Sequence, residues 1–159
     1  MMQRTLVLLK PDAIKRGLIG EILQRFERTG LKLIGMKQVW VDKDFARKHY
    51  SEHVKKDFYK TLEDFLTSGP VIALCIEGIN SVEVVRKMVG STEPGKALPG
   101  TIRGDYAHLS NEWVNKHNKP MPNLIHASDS AENAKKEAEL WFKKEELHSY
   151  KTVYEDLVF

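Results

Sequence analysis

The chemistry-bearing residues of this chain gather around one histidine. In Asn123-Leu124-Ile125-His126-Ala127-Ser128-Asp129-Ser130, a short apolar run delivers His126 to the end of an expected strand, and Ser128, Asp129 and Ser130 open a helix. A strand end followed by a helix start sets the imidazole beside unsatisfied backbone N–H groups and the positive end of a helix dipole, surroundings that suit phosphate. Four more residues fit the same chemistry: Lys10 ends an expected strand, Arg86 lies late in an expected helix, and Thr92 and Arg103 sit in a long loop. Taken singly, each also reads as surface charge or turn residue. Together they supply cations and donors for the equatorial oxygens of a phosphoryl group in transfer, with His126 as an in-line nucleophile.

Two other patterns are set aside on chemical grounds. Gly90-Ser91-Thr92-Glu93-Pro94-Gly95-Lys96-Ala97 fails as a phosphate-binding P-loop because Ala97 stands where a metal-binding hydroxyl is required. It also follows an expected helix rather than a strand, and Pro94 removes a backbone donor. His49-Tyr50-Ser51-Glu52-His53 matches an inverted zinc-protease pattern whose histidines would share one helical face. No third ligand is evident beside it in the sequence, so a solvated or substrate-facing helix is the better reading.

The elements that must position these groups follow from hydrophobic spacing. Thr5-Leu6-Val7-Leu8-Leu9 is a continuous apolar run, expected as a central strand buried on both faces. Leu18 to Phe26 has helical spacing and stops at Thr29-Gly30. Leu31 to Val41 reads as a second strand. Asp44 to Leu66 reads as two short helices broken near Val54 to Asp57, and Val71 to Ile76 as a third strand. Ser81 to Val89 is expected as a helix capped by Asn80. An irregular stretch follows from Gly90 to about Pro122. After the His126 strand, a last helix is expected with Asp129 as N-cap, Glu132 completing a capping box, and Ala131, Ala134, Ala138, Trp141 and Phe142 on one side. Residues 143–159 read as a tail packed on the surface. This order predicts an α+β fold, a ferredoxin-like four-stranded sheet covered by helices, with a doubly wound parallel sheet as the alternative.

Composition narrows the class. The 159 residues, 42% hydrophobic and 30% charged, suit one domain over residues 1–159. A single Cys75 in an apolar run rules out an internal disulfide framework and points to a reducing, cytoplasmic setting. Met1-Met2-Gln3-Arg4 lacks a signal-peptide apolar region, and no stretch is long and apolar enough for a membrane span. The net charge of +3 is dispersed, which permits anionic ligands without calling for nucleic acid.

Lys10-Pro11-Asp12, Thr101-Ile102-Arg103-Gly104-Asp105 and the Asn123–Ser130 stretch, in this order and with these intervening helices, resemble the nucleoside diphosphate kinase family over nearly the whole chain. The resemblance implies a homo-oligomer, commonly a hexamer, with a tetramer or dimer as alternatives. It also implies ping-pong transfer of a terminal phosphate from a nucleoside triphosphate to the histidine and on to a nucleoside diphosphate, maintaining nucleoside triphosphate pools. Mg²⁺ would be the cofactor, held mainly by nucleotide phosphates with no protein metal ligands. By resemblance His126 is the nucleophile, and Lys10, Arg86, Thr92, Arg103 and Asn123 contact phosphates or ribose. Phe58 stacks on the base, Tyr50 lies near the histidine, and Glu137 orients the imidazole. Ala127 stands where many members have glycine, and Tyr106 to Met121 is longer than in the family's commonest form. That segment is expected at the surface or a subunit boundary, apart from the chemistry.

Two rival classes use the same residues. A nucleotide- or nucleic-acid-binding regulator would keep the fold without turnover, but intact His126, Lys10, Arg103 and Glu137 favour catalysis. A histidine phosphocarrier served by a protein donor would not need the long loop between Gly90 and Pro122.

Overall fold

Successive strand side chains point to opposite faces, so the unbroken apolar run Leu6-Val7-Leu8-Leu9 has to be buried on two sides. In the computed structural model, which describes residues 1–158, this run lies in β1 (Met2–Leu9). Val7 and Leu9 enter one core and Leu6 and Leu8 another, all without solvent exposure. Each such side chain contributes about 1.5–3 kcal/mol by leaving water.

The chain continues through α1 (Pro11–Lys15), α2 (Ile19–Arg28), β2 (Lys32–Val39), α3 (Lys43–His49), α4 (Tyr59–Leu66), β3 (Val71–Ile79) and α5 (Ser81–Val89). Then come α6 (Ile102–Tyr106), α7 (Asn111–Lys116), β4 (Ile125–Ala127), α8 (Ala131–Trp141) and α9 (Glu155–Val158), with 3₁₀ turns at Pro94–Lys96 and Lys144–Glu146. The strands form one sheet in the order β2-β3-β1-β4, each neighbouring pair antiparallel. That is the expected ferredoxin-like arrangement, and it excludes the parallel alternative. One face is covered by α2 and α5 through Ile22, Phe26, Val85 and Val89. The other is covered by α3, α4 and α8 through Ala46, Tyr59, Leu66, Ala138 and Trp141.

Several local expectations are corrected. Asn80 precedes α5 but has φ 50° and no side-chain capping bond; its Oδ1 instead accepts from the Met1 amino group at 3.3 Å. Ser130, not Asp129, caps α8: its backbone is extended, as an N-cap requires, and its Oγ accepts from the Asn133 N–H at 3.1 Å. Glu132 pairs with Lys136 at 2.7 Å instead of closing a capping box, and Ala131 is exposed. Helix α3 ends at His49, so His49 and His53 do not share a helical face. Pro11 begins a helix rather than merely ending a strand, since its missing N–H costs nothing in a first turn.

The stretch from Gly90 to Pro122 is irregular only in part, because hydroxyl caps build helices within it. Thr101 Oγ1 accepts from the Gly104 N–H at 3.0 Å to start α6, and Ser110 Oγ accepts from the Trp113 N–H at 3.2 Å to start α7. Arg103 therefore sits on a helix. The tail does pack on the sheet: the His148 N–H donates to the Ile34 carbonyl at 2.7 Å, and Lys32 Nζ donates to Glu155 at 2.6 Å. Phe159, the last residue of that expected tail, lies outside the described residues. Among the described residues, no helix is long and apolar enough to cross a membrane.

Candidate active site

His126 stands in the middle of β4, a strand only three residues long, paired with Leu8 of β1. So short a strand cannot fix its own direction, and the residue before it is strained: Leu124 has φ 69°, a left-handed conformation that costs a side chain with a Cβ about 1–2 kcal/mol. Two contacts hold it there. The Leu124 N–H donates to Asp12 Oδ2 at 2.9 Å, and its carbonyl accepts from the Lys10 N–H at 2.8 Å. Burial pushes the Asp12 carboxyl above its ordinary range, opposed by the Leu124 N–H and by the charge of Lys10.

Behind His126, α8 supplies Glu137. Nε2 of the imidazole lies 3.1 and 3.0 Å from the two Glu137 oxygens, and the buried Ser128 hydroxyl donates to the same carboxylate. A carboxylate only accepts, so Nε2 carries the proton and Nδ1 keeps its lone pair.

Lys10 and Arg103 are held by side-chain and backbone groups around this strand. Lys10 Nζ donates to Asn123 Oδ1 at 2.7 Å, and Asn123 Nδ2 donates to the Thr92 carbonyl at 2.8 Å. Arg103 donates from Nε to the Asn123 carbonyl at 3.1 Å, from Nη1 to the Gly90 carbonyl at 3.0 Å, and from Nη2 to the Ile125 carbonyl. Burial, with Arg103 nearby, lowers Lys10 to about 8. Burial, with Arg86 nearby, lowers Arg103 to about 10. Tyr50 is 8% exposed, and burial, followed by Glu137 and Tyr59, pushes its phenol up.

A cavity of about 630 Å³ brings together eight of the nine expected residues: Lys10, Tyr50, Phe58, Arg86, Thr92, Arg103, Asn123 and His126. The ninth, Glu137, lies behind the imidazole and lines an adjoining cavity of about 240 Å³ that His126 also reaches. Among the described lining residues of the larger cavity, Lys10, Arg86, Arg103 and Lys119 face a single carboxylate, Asp129. Such a wall attracts polyanions. Phe58, 54% exposed, also lines the cavity, with Lys56 Nζ 5.7 Å from its ring centroid.

Residues 3–147 match the family model described as nucleoside diphosphate kinase. The chain belongs to the nucleoside diphosphate kinase family. It is a phosphotransferase of that family. A nucleoside diphosphate kinase from Pyrococcus furiosus is 51% identical over 148 residues, which cover 93% of this chain and 88% of that protein. One from Sulfurisphaera tokodaii is 52% identical over 145 residues, covering 91% of this chain and 92% of the other. Among solved structures, the Borrelia burgdorferi kinase, a transition state mimic with bound vanadate and ADP, has a TM-score of 0.93 and 42% identity over 97% of this chain and 95% of its own. The Halobacterium salinarum kinase in complex with CDP has a TM-score of 0.88 and 39% identity over 100% of this chain and 99% of its own.

Sequence reasoning missed three contributors to the kinase-family site. Asp12 is hidden in the Lys-Pro-Asp signature and works by holding Leu124. Ser128 follows the histidine and binds Glu137. The third is the extended segment, expected apart from the chemistry, which sends Val114, Lys119 and Met121 to the cavity wall. Buried Glu93 anchors it by accepting from both the Asn111 N–H and Nδ2 at 3.1 Å. The apolar pair Trp113-Val114 between polar neighbours was the available signal.

Proposed function

We propose that the chain moves the terminal phosphoryl group of a nucleoside triphosphate to a nucleoside diphosphate in two in-line steps, through a phosphorylated His126. The observation that carries this reading is the commitment of Nε2 to Glu137, which leaves Nδ1 with its lone pair in a residue on the wall of a cation-lined cavity. In the first step that lone pair attacks the γ-phosphorus, and the bond to the bridging oxygen breaks. The diphosphate leaves with the electron pair. No proton has to move, because the Nε2 proton stays between His126 and Glu137, whose carboxylate offsets the positive charge of the phosphorylated ring. In the second step an oxygen of the acceptor's terminal phosphate attacks the same phosphorus, and the P–N bond breaks. One phosphoanhydride replaces another, so the exchange is nearly balanced and reversible, as maintenance of triphosphate pools requires.

Lys10, Arg86, Thr92 and Arg103 bind the phosphates in this reading, Asn123 the ribose or a phosphate, and Phe58 the face of the base. Tyr50 stands beside the imidazole. Stacking ignores base identity, so purine and pyrimidine nucleotides are both substrates. Mg²⁺ fits as a passenger of the nucleotide: the larger cavity offers one carboxylate among the described residues, and the His49, His126 and Glu137 cluster offers two nitrogens where Mg²⁺ takes oxygens. When bound, Mg²⁺ would supply positive charge that offsets the phosphate oxygens. Residues 1–159 act as one domain in a cytoplasmic homo-oligomer, a hexamer, whose number light scattering would measure.

Incubation with γ-labelled ATP and Mg²⁺, then a chase with unlabelled diphosphate, tests the route. Label should bind the protein as an acid-labile, alkali-stable phosphoramidate and move to the diphosphate, and His126→Ala should abolish both events. An acid-stable label, or phosphate cycling in His126→Ala, would overturn the mechanism.

A further inference from the structure

His49, His126 and Glu137 offer ligand atoms that all lie within 4.8 Å of one another, a two-histidine, one-carboxylate set of the type that binds Zn²⁺. All three line the same cavity of about 240 Å³. A transition metal seated there would take the Glu137 carboxylate and a nitrogen of His126, and with them the arrangement that leaves Nδ1 free.

Hydrogen bonding at His49 closes that possibility. His49 is buried, and its Nδ1 lies 3.2 Å from Nε1 of Trp141. An indole N–H only donates, so Nδ1 is the acceptor and the proton of neutral His49 sits on Nε2. That Nε2 is buried and has no hydrogen-bond partner among the described residues. The ring stands edge-on to His126, with centroids 4.8 Å apart and planes at 86°. Neither nitrogen can ligate a metal as it stands: the indole proton occupies Nδ1, and Nε2 carries its own proton. Freeing Nε2 would move that proton to Nδ1, where two donors would face each other in a buried site and a hydrogen bond would be lost.

We propose that Trp141 is a positioning residue that fixes His49 as an Nε2–H donor and so denies transition metals a third ligand beside His126. The benefit rests on reading His126 as the nucleophile. Metal binding is measured without nucleotide, however, so the two readings fail separately.

The experiment titrates Zn²⁺ into full-length, metal-free protein against a colorimetric chelator, for wild type, Trp141→Phe and the double variant Trp141→Phe with His49→Phe. Nitrogen-15 NMR of the wild type reads the His49 tautomer directly. Trp141→Phe should bind one Zn²⁺ at least about tenfold more tightly than wild type, a difference of about 1.4 kcal/mol. The double variant should return to the wild-type affinity, and the spectrum should show His49 protonated at Nε2. Equal Zn²⁺ affinity of wild type and Trp141→Phe, a tight site surviving in the double variant, or an Nδ1–H on wild-type His49 would each overturn the proposal. If Trp141→Phe does not fold, benzothienylalanine at position 141 keeps the indole shape without its N–H, and the wild-type tautomer still decides.

Discussion

Replacing Lys10 with Met should change stability little at pH 7 while removing a cation from the cavity wall, because the fold holds this ammonium at a cost. Lys10 is 6% exposed, and burial, aided by Arg103 and opposed by Asp12, lowers its pKa from 10.5 to about 8. At about 1.4 kcal/mol per pH unit, that displacement disfavours the charged form in the folded protein by roughly 3 kcal/mol. The charged hydrogen bond to Asn123 gives back about 1.5–3 kcal/mol, so the two terms nearly cancel at pH 7. They separate at higher pH. Between about pH 8 and 10.5 the unfolded chain keeps the Lys10 proton that the folded chain has released, so folding is increasingly favoured as pH rises. Wild type should therefore gain on Lys10→Met by up to roughly 3 kcal/mol across this window and by nothing below it. Urea unfolding of both proteins at constant ionic strength from pH 7 to 10.5 measures the difference, in which groups common to both cancel. Nucleotide phosphates should restore the ammonium, so calorimetry at about pH 8.5 in two buffers should detect proton uptake on binding to wild type and less on binding to the variant. A stability difference that stays flat or shrinks over that range would refute the burial argument.

Glu137→Gln keeps an acceptor for His126 Nε2 but loses the carboxylate charge, so labelling should persist at a rate about 10- to 100-fold lower, measured by quench-flow. Phe58→Ala should weaken use of every nucleotide by about 1–3 kcal/mol in kcat/KM, and a loss confined to one base would contradict simple stacking. Shortening residues 106–121 removes Val114 and Lys119 from the cavity wall, so KM should rise even where folding and assembly are unchanged; unaltered kinetics would return the segment to a purely structural role. Leu124→Ala should cost about 2–5 kcal/mol in thermal or urea unfolding, and Leu124→Gly no more than that despite its flexibility, because glycine relieves the left-handed strain.

Long apolar runs and strong helical spacing made most of the fold legible: β1, β3, α2 and α5 lie where the pattern set them, since burial on a fixed face leaves little choice. Element ends were less legible. Asp129 and Ser130 are both good caps by type, and only the extended backbone of Ser130 decides between them. At the candidate site, the residues with charge or a ring were readable by type, and the fold brings eight of the nine expected residues to one cavity. The hidden ones act through backbone or through other side chains. Asp12 binds an N–H of a residue 112 positions later, and Trp141 meets His49 across 92 positions, separations that no local pattern encodes.

The same groups build the charge field and fix the strand that carries His126. Arg103 spends donors on the carbonyls of Asn123 and Ile125, on either side of strained Leu124, while Asp12 and the Lys10 backbone hold Leu124 itself. A three-residue strand is thereby fixed by side chains from α1 and α6 rather than by its own ladder. The costs of this arrangement, a depressed Lys10, a depressed Arg103 and a left-handed leucine, are met when the protein folds. In the proposed route an arriving triphosphate would relieve two of them, because its oxygens would favour the charged forms of both cations. In the proposed transfer, donors that are already in place would need no reorganisation as charge moves onto the transferred group, and that is where such a site would gain its rate.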